Sequence, residues 1–330
     1  MPIRFDIPLP LISVIIPTYN RPDYLRAAIE SACQQTYPNL EIIVSDDASQ
    51  QNPQAIVDSF GDSRLRLRRN PTNLGVGLNT THAAAEARGD YIAFLNDDDL
   101  WEPTFLEALI TPLEADPNLV LAFCDHYIID AAGAIDQPAT EAATRLWRRD
   151  RLAPGRHQPF CQIGLVDQSV YAASAAVIRR DAVAWERLQE AGVFWDYFLV
   201  YLACRGQGAA YYLGDRLVHY RVHDQSETTL SGSRSVAAKI RKGKAAIACH
   251  DTYRKDPALQ DLWPIFQRRW AEANATLGIG LLRDGEVAAA RPYLRQAAQG
   301  EPLSLRAWVA LALSWLPRPL AQPLLYLKSS

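Results

Sequence analysis

The sequence predicts an α/β fold in which a mostly parallel sheet is flanked by helices and followed by an all-helical C-terminal region. Short strands alternate with amphipathic helices through the first half of the chain. Most of these strands are apolar along their whole length, which is typical of a sheet covered on both faces. From about residue 229 the pattern becomes helical, and no further carboxylate cluster follows a strand.

The elements of this fold follow from apolar periodicity and from the breakers between them. The predicted strands lie at 11–17, 40–45, 64–69, 90–95 and 119–125, with helices over 22–35, 53–60, an Ala-rich stretch up to Ala87, and 102–115 between them. Gly89 is a plausible C-cap of the Ala-rich helix. Residues 130–165 receive no assignment. The remaining predictions are helices at 181–190 and 196–206 and strands at 209–213 and 216–222.

Composition describes an ordinary globular protein of 330 residues, with 48% hydrophobic and 22% charged residues. This length fits two domains, which we predict as 1–228 and 229–330. A net charge of −3 disfavours wholesale binding of nucleic acid. Five widely spaced cysteines without a C-x-x-C pair disfavour a disulfide framework or a zinc site and fit a reducing compartment. The N-terminus lacks the pattern of a signal peptide, so we expect a cytoplasmic protein.

Three polar clusters directly follow predicted strands, at Thr18–Arg21, Asp46–Ser49 and Asn96–Asp99. Ligands bind at the carboxyl ends of parallel strands, so we expect all three clusters along one edge. The run of three aspartates from Asp97 is unfavourable there unless a cation neutralises it. Mg²⁺ or Mn²⁺ with substrate phosphates suits such oxygen ligands. The alternative is a cluster that caps a helix, which is the role we expect for Asp99 in either case.

The other two clusters carry side chains that can contact a nucleotide, but they lack the glycine-rich loops of dinucleotide and P-loop sites. A carboxylate in VSDDASQ (44–50) can accept a hydrogen bond from a base N–H or a ribose hydroxyl. The turn IIPTYNRPDYL (15–25) contains no glycine, so neither a dinucleotide fingerprint nor a Walker A loop is present. Tyr19 is placed to pack against a base or a sugar; the alternative is that it covers the strand end.

The segments SVIIPTYNR, IIVSDDAS and NLGVGLNTTHAAAEARGDYIAFLNDDDLWEP resemble, in order and spacing, the family 2 glycosyltransferases, whose Rossmann-like fold is called GT-A. The resemblance covers about residues 11–228. It implies inverting transfer of a sugar from a nucleotide-sugar, with UDP as the family-based guess. It also implies Mn²⁺ or Mg²⁺ on the diphosphate and a hydroxyl of a glycan, lipid or other acceptor.

Residue by residue, the resemblance implies nucleotide-sugar contacts from Pro17, Tyr19, Asp47, Asn79, Asn96, Asp97 and Arg221. The family's D-x-D motif falls on Asn96–Asp98, so Asp98 is the implied metal ligand, with His223 of the segment HYRVHDQSET (219–228) as a second one. Asn96 replaces the first Asp of the motif and brings no charge, which weakens the expected hold on the metal. Asp196 matches the base for the acceptor hydroxyl; the alternative is that it caps the helix at 197–206.

Two other functions compete with this interpretation. A sugar-phosphate nucleotidyltransferase would carry a G-x-G-T-R loop where this chain has P-T-Y-N-R. A non-catalytic binding module would use the C-terminal helices, in which 276–302 look like one tetratricopeptide-type hairpin, too few for a peptide-binding array. Residues 305–328 are apolar with two Trp and one Tyr. We expect this segment to have one of three roles: it lies in the interface at the inner face of a membrane, packs on the catalytic domain, or contacts a second subunit of a homo-oligomer.

Overall fold

The computed structural model describes residues 9–206, 208–224 and 236–317. These residues divide into two compact units, one ending at His223 and the other beginning at Asp224. The predicted domain boundary between residues 228 and 229 lies outside the described residues, and the two-domain assignment stays a prediction.

The first unit is built on a nine-stranded sheet flanked by helices. Its strands are β1 Ile12–Thr18, β2 Leu40–Asp46, β3 Leu65–Arg69, β4 Tyr91–Phe94, β5 Leu100–Trp101, β6 Leu119–Ile129, β7 Gly155–His157, β8 Ala176–Arg179 and β9 Ala209–Arg221. Its α-helices are α1 Pro22–Cys33, α2 Gln54–Asp58, α3 Val76–Glu86, α4 Phe105–Ala115, α5 Gln137–Leu146 and α6 Trp195–Cys204. The two strands predicted at 209–213 and 216–222 are one strand, β9.

The strand order is β3-β2-β1-β4-β8-β6-β9-β5, with β7 on β9. Pairing is parallel from β3 to β4 and between β6 and β9, and antiparallel elsewhere. The predicted fold class is confirmed, and the sheet becomes mixed beyond β4. A continuous apolar strand does not reveal its direction, because β8 is buried almost throughout and yet pairs antiparallel with both neighbours.

Packing around β1 requires glycine at position 89. A Cβ on Gly89 would lie 2.6 Å from the Ser13 nitrogen and 2.7 Å from the Leu11 carbonyl oxygen. The backbone that leads into β4 can therefore approach β1 only without a side chain. The prediction that Gly89 caps the preceding helix is wrong, since α3 ends at Glu86 with Ala87 as its C-cap residue.

The entry to α6 also departs from the sequence prediction. The helix predicted at 181–190 is instead a 3₁₀ segment, Trp185–Phe194, interrupted at Gly192, whose φ is +54°. A Cβ on Gly77 at the start of α3 would lie 2.8 Å from the Gly192 carbonyl oxygen. This close backbone contact fixes the segment that carries Trp195 and Asp196 against α3.

The second unit is helical in its described residues, with α7 Val236–Tyr253, α8 Trp263–Asp284, α9 Val287–Gly300 and α10 Leu305–Leu313. Helices α8 and α9 form a hairpin through a turn in which Gly285 has φ of +90°. A Cβ on Gly278 would lie 2.6 Å from Leu294, so the two helices pack closely. Across the described ranges, none of the helices combines the length and apolar character needed to cross a membrane.

Candidate active site

The polar clusters that follow β1, β2 and β4 meet at one edge of the sheet. The backbone N–H of Asp47 donates to the Thr18 carbonyl oxygen at 3.0 Å. The Thr18 hydroxyl donates to Asp97 Oδ2 at 2.7 Å. The ends of the three strands are thus joined by hydrogen bonds, and the carboxylates predicted to share an edge do so.

Arg21 neutralises two of the three consecutive aspartates. Its Nη1 donates to Asp97 Oδ1 at 3.0 Å and to Asp98 Oδ2 at 2.8 Å. Asp97 and Asp98 are only 4% and 8% exposed, so each is largely withdrawn from water. Burial, together with the charge of Asp98, raises the pKa of Asp97 to about 6. Without a cation, the pair therefore depends on Arg21 for much of its charge compensation.

Asp98 also contacts the end of β9. His223 Nε2 lies 3.0 Å from Asp98 Oδ2, and the His223 ring packs against Tyr24 with centroids 4.8 Å apart. Asp98 Oδ1 accepts no hydrogen bond from any residue that the structure describes. Asp98 therefore presents one carboxylate oxygen to an incoming ligand, next to an imidazole nitrogen.

Asp99 ties three strands together and does not begin a helix. It accepts hydrogen bonds from the Ser174 hydroxyl at 2.6 Å, the Arg221 backbone N–H at 3.0 Å and the Tyr171 hydroxyl at 3.2 Å. Burial, with the charge of Asp98, raises the pKa of Asp99 to about 7. The role expected for Asp99 at a helix terminus is wrong, because Thr104 is the N-cap residue of α4.

Asn96, the residue that departs from the D-x-D pattern, is a donor in this site. Its Nδ2 donates to the Tyr171 hydroxyl at 2.8 Å and to Asp99 Oδ2 at 3.3 Å. A carboxylate at position 96 would place two acceptors against each other. Among the described residues nothing donates to Asn96 Oδ1. This oxygen is available to a hydroxyl of a ligand.

Asp47 is held by backbone N–H groups. Leu74 and Gly75 donate to its two oxygens at 2.9 and 2.8 Å, and Asn70 Nδ2 donates at 2.8 Å. Gly75 has φ of +83°, a conformation that favours glycine. Three donors leave one of the carboxylate's roughly four lone-pair positions for a base or ribose. Tyr19 is 46% exposed beside this carboxylate's strand end.

Three of the residues predicted to contact the nucleotide-sugar are buried within the fold, and their ligand contacts stay predictions. Asn79 is 1% exposed, and its amide bonds Ser45, Arg68 and Asn70, so it joins α3 to β2 and β3. The buried Arg221 guanidinium donates to the backbone carbonyls of residues 98, 130 and 131, which shapes the aspartate loop. Pro17 is buried within β1 and has no N–H to donate.

Asp196 lies in the first turn of α6 and is half-buried. Burial raises the pKa of Tyr171, and the negative charges of Asp99 and Asp196 raise it further. Asp196 is thus close enough to Tyr171 to interact with it electrostatically. The assignment of Asp196 as a base stays a prediction.

The chemistry and spacing of Asp98 and His223 fit a divalent cation. Asp98 Oδ2 and His223 Nε2 lie 3.0 Å apart, and a carboxylate beside an imidazole is a donor set that would hold Mn²⁺ or Mg²⁺. Within residues 9–206, 208–224 and 236–317, no group of three or more His, Cys, Asp or Glu side chains converges on a metal position.

Sequence reasoning missed Arg21 and Ser174 as parts of this site. Arg21 carried a readable signal, because it belongs to the polar turn after β1 that was expected at the same edge. Ser174 precedes β8, which enters the sheet antiparallel. The rule for parallel strand ends does not reach it.

The family model described as glycosyl transferase family 2 matches residues 13–183, more than half of the 330-residue chain. The Escherichia coli UDP-Glc:α-D-GlcNAc-diphosphoundecaprenol β-1,3-glucosyltransferase WfaP is 36% identical over 118 residues, which cover 36% of this chain and 47% of that protein. The chain spans less than half of the length of the curated relatives it matches.

Solved structures agree in fold. S. aureus TarS 1–349 in complex with UDP gives a TM-score of 0.60 at 14% identity, covering 91% of this chain and 90% of that one. The Pyrobaculum calidifontis mannosyltransferase PcManGT in complex with GDP-Man and Mn²⁺ gives 0.51 at 18% identity, covering 95% and 87%. With the family model and these folds in agreement, the chain belongs to glycosyl transferase family 2 and has the GT-A fold.

Proposed function

We propose that the protein is a metal-dependent, inverting glycosyltransferase that moves a sugar from a nucleoside diphosphate sugar to an acceptor hydroxyl. The observation that carries the proposal is the Asp98–His223 pair, in which Asp98 Oδ2 lies 3.0 Å from His223 Nε2 at the carboxyl ends of the strands. Membership of the family supports glycosyl transfer as the reaction. The Asp98–His223 pair supports a cation at this edge of the sheet, where the donor diphosphate would bind.

The donor nucleotide lies along the ends of β1 and β2 in this proposal. The half-exposed Tyr19 ring stacks on the base or sugar, and Asp47 accepts one hydrogen bond from the base or ribose. Asn96 Oδ1 accepts from a sugar hydroxyl. UDP is the proposed nucleotide, in keeping with the UDP-Glc named for WfaP and the UDP bound to TarS.

Asp98 and His223 hold the Mn²⁺ or Mg²⁺ ion, with Asp97 close by. When bound, the ion neutralises the charge that develops on the leaving diphosphate. His223 would bind the ion through an unprotonated Nε2. Arg221 fixes the loop through the Asp98 carbonyl oxygen and acts as a positioning residue.

Asp196 removes the proton from the acceptor hydroxyl in the proposed reaction. The acceptor oxygen forms a bond to the anomeric carbon while the bond from that carbon to the diphosphate oxygen breaks. The proton passes to Asp196, and the nucleoside diphosphate leaves with the bond's electron pair. Attack opposite the leaving group inverts the anomeric configuration. The half-burial of Asp196 and its electrostatic interaction with Tyr171 at the site support this role.

A lipid-linked glycan is the proposed acceptor class, because WfaP is named for a diphosphoundecaprenol substrate. A peripheral position at the inner face of a membrane follows from such an acceptor. The second unit offers an apolar surface for this contact, with Leu303, Leu305, Trp308 and Trp315 between 50% and 95% exposed. Of the predicted segment 305–328, residues 318–328 lie outside the described residues. Flotation with anionic liposomes tests the contact, and recovery wholly in the unbound fraction counts against it.

The function is tested by sugar transfer from a panel of UDP-sugars to a lipid-diphosphate-linked acceptor, with Mn²⁺ and with EDTA. We expect transfer with Mn²⁺, inversion at the anomeric carbon by NMR, and loss of transfer in Asp196→Asn while UDP binding by calorimetry is retained. The matched control is Asp58→Asn on the exposed surface of α2. Near-normal turnover of Asp196→Asn would remove Asp196 as the base.

A further inference from the structure

We propose that Arg21 is an internal counter-ion that occupies the metal-binding carboxylates in the metal-free protein and leaves them when the cation and the donor diphosphate bind. The inference rests on the proposed metal-dependent function. Through this role, Arg21 makes metal binding and nucleotide binding depend on each other.

Arg21 and the expected metal compete for the same atoms. Arg21 Nη1 lies 2.8 Å from Asp98 Oδ2, and His223 Nε2 lies 3.0 Å from that same oxygen. The second contact of Nη1, at 3.0 Å, is to Asp97 Oδ1. A cation bound between Asp98 and His223 would therefore meet a guanidinium already in contact with one of its ligand atoms. Two positive charges at this separation repel strongly in a site with little water.

The buried carboxylates of Asp97 and Asp98 need a positive charge beside them when no metal is bound. Asp97 and Asp98 are both largely buried and adjacent in the chain, so without compensation their negative charges would repel each other strongly. Asp97 also accepts the Thr18 hydroxyl, which leaves little freedom for it to turn away. Arg21 contacts both carboxylates and offsets this repulsion before any ligand arrives.

The backbone at Arg21 is fixed, while its side chain is partly exposed. Asn20 has φ of +58°, and its backbone N–H donates to Ser49 Oγ at 2.8 Å. Its Oδ1 accepts the Gln50 N–H at 2.7 Å, so the turn is fastened to the end of β2. The Arg21 side chain is 23% exposed and has several rotatable bonds, so it reaches solvent without movement of the turn.

A donor diphosphate gives the displaced guanidinium a new partner. Guanidinium pairs well with phosphate oxygens, often through two parallel hydrogen bonds. The nucleotide thus lowers the free energy needed to displace Arg21, and so strengthens binding of the cation. By linkage, the cation strengthens binding of the nucleotide by the same factor.

The test is calorimetric titration of the metal-stripped protein with Mn²⁺, alone and with saturating UDP, for the wild type, Arg21→Gln and the control Arg26→Gln on the exposed face of α1. We expect Arg21→Gln to bind Mn²⁺ alone about tenfold more tightly than the wild type and to lose most of the enhancement by UDP. We also expect it to unfold at a lower temperature in EDTA and to gain a larger increase in melting temperature from Mn²⁺. Arg26→Gln should match the wild type in both readouts.

Arg21→Lys keeps the inference testable if Arg21→Gln does not fold. An ammonium on a shorter side chain compensates charge but bridges the two carboxylates less well, so Mn²⁺ should bind between the wild-type and tenfold-enhanced affinities. Unchanged or weaker Mn²⁺ binding in the Arg21 variants, with normal UDP-dependent binding in the wild type, overturns the inference and leaves the proposed function standing. No Mn²⁺ binding by the wild type, with or without UDP, overturns metal dependence and the inference together.

Discussion

The carboxylates after β2 and those after β4 flank the end of β1 on one edge of the sheet, yet they are satisfied in different ways. Asp47 is held by backbone N–H groups of Leu74 and Gly75 and by Asn70. Asp98 is met by side chains, Arg21 and His223, on its Oδ2, while its Oδ1 has no donor among the described residues. Both clusters are acidic runs at strand ends in the sequence, and their surroundings give them different properties.

The kind of donor that holds each carboxylate gives Asp47 and Asp98 different roles. Backbone donors cannot leave without unfolding the loop before α3, so the charge of Asp47 is part of the fold. Side-chain donors can turn away, so the charge of Asp98 is open to exchange with a cation. The first carboxylate should then matter for stability and the second for catalysis.

Replacement of the exchangeable carboxylate should have the largest effect. We expect Asp98→Asn to lower turnover by about 10³-fold, because electrostatic support for a leaving group is worth this order. Its free energy of unfolding without metal should change by less than about 1 kcal/mol, since relief of repulsion by Asp97 and Asp99 offsets the weakened contacts with Arg21 and His223. Steady-state kinetics and urea unfolding measure the two quantities.

The surface change Asp58→Asn again serves as the control for both assays. A loss of turnover below tenfold in Asp98→Asn would show that the aspartate is not the principal protein ligand. A loss of stability as large as the loss at Asp47 would erase the distinction between the two clusters.

Replacement of the framework carboxylate should act on folding. We expect Asp47→Asn to lower the free energy of unfolding by about 2 kcal/mol, because an amide keeps one acceptor and points an N–H group at a buried donor. Urea unfolding of the nucleotide-free protein measures the change. If stability is retained while UDP binding is lost, Asp47 is a ligand-binding residue and the backbone contacts are incidental.

Much of the fold followed from sequence because its signals are local. The strands and helices from β1 to β4 lie close to their predicted places, since apolar periodicity and breakers decide them. The half beyond β4 was less readable. Residues 130–165, left unassigned, contain α5 and β7, and the direction of β8 is set by its neighbours in the sheet rather than by its own residues.

The candidate site shows a similar limit. The edge at which Tyr19, Asp47 and Asp98 meet follows from strand direction alone. The partners of each carboxylate do not, because the same residue type suits a metal, a backbone N–H or a guanidinium. Asn79 and Arg221 illustrate this: their polar groups are used within the fold, which only the three-dimensional contacts reveal.

Asn96 gives a further, smaller test of the β4 cluster. Asn96→Asp restores the family's motif but replaces a donor to Asp99 by a second carboxylate 3.3 Å away. Burial beside like charges raises the folded-state pKa of the new group, while the unfolded chain releases its proton near pH 4. Stability is therefore lost as pH rises from about 4 through the raised pKa, by about 1.4 kcal/mol for each unit of the shift.

We accordingly expect Asn96→Asp to resemble the wild type at pH 5.5 and to be less stable at pH 8, measured by urea unfolding without metal. Asn96→Ser, which brings no charge, is the matched control. Equal stability of Asn96→Asp and the wild type at pH 8 would mean that the amide is not needed as a donor. The hydrogen bond to Asp99 would then not explain why Asn replaces Asp at position 96.

Tyr19, at the end of β1 between the two clusters, should show the smallest effect. Its ring is half-exposed, so its removal should leave the free energy of unfolding within about 0.5 kcal/mol of the wild type. Loss of stacking on the nucleotide should weaken UDP binding by about fivefold to tenfold, with kcat little changed, because the contact is made equally in the ground and transition states. Calorimetry with UDP compares Tyr19→Ala with the control Tyr19→Phe, which keeps the ring. Equal loss of affinity in both variants would mean that the nucleotide contacts the Tyr19 hydroxyl rather than stacking on its ring.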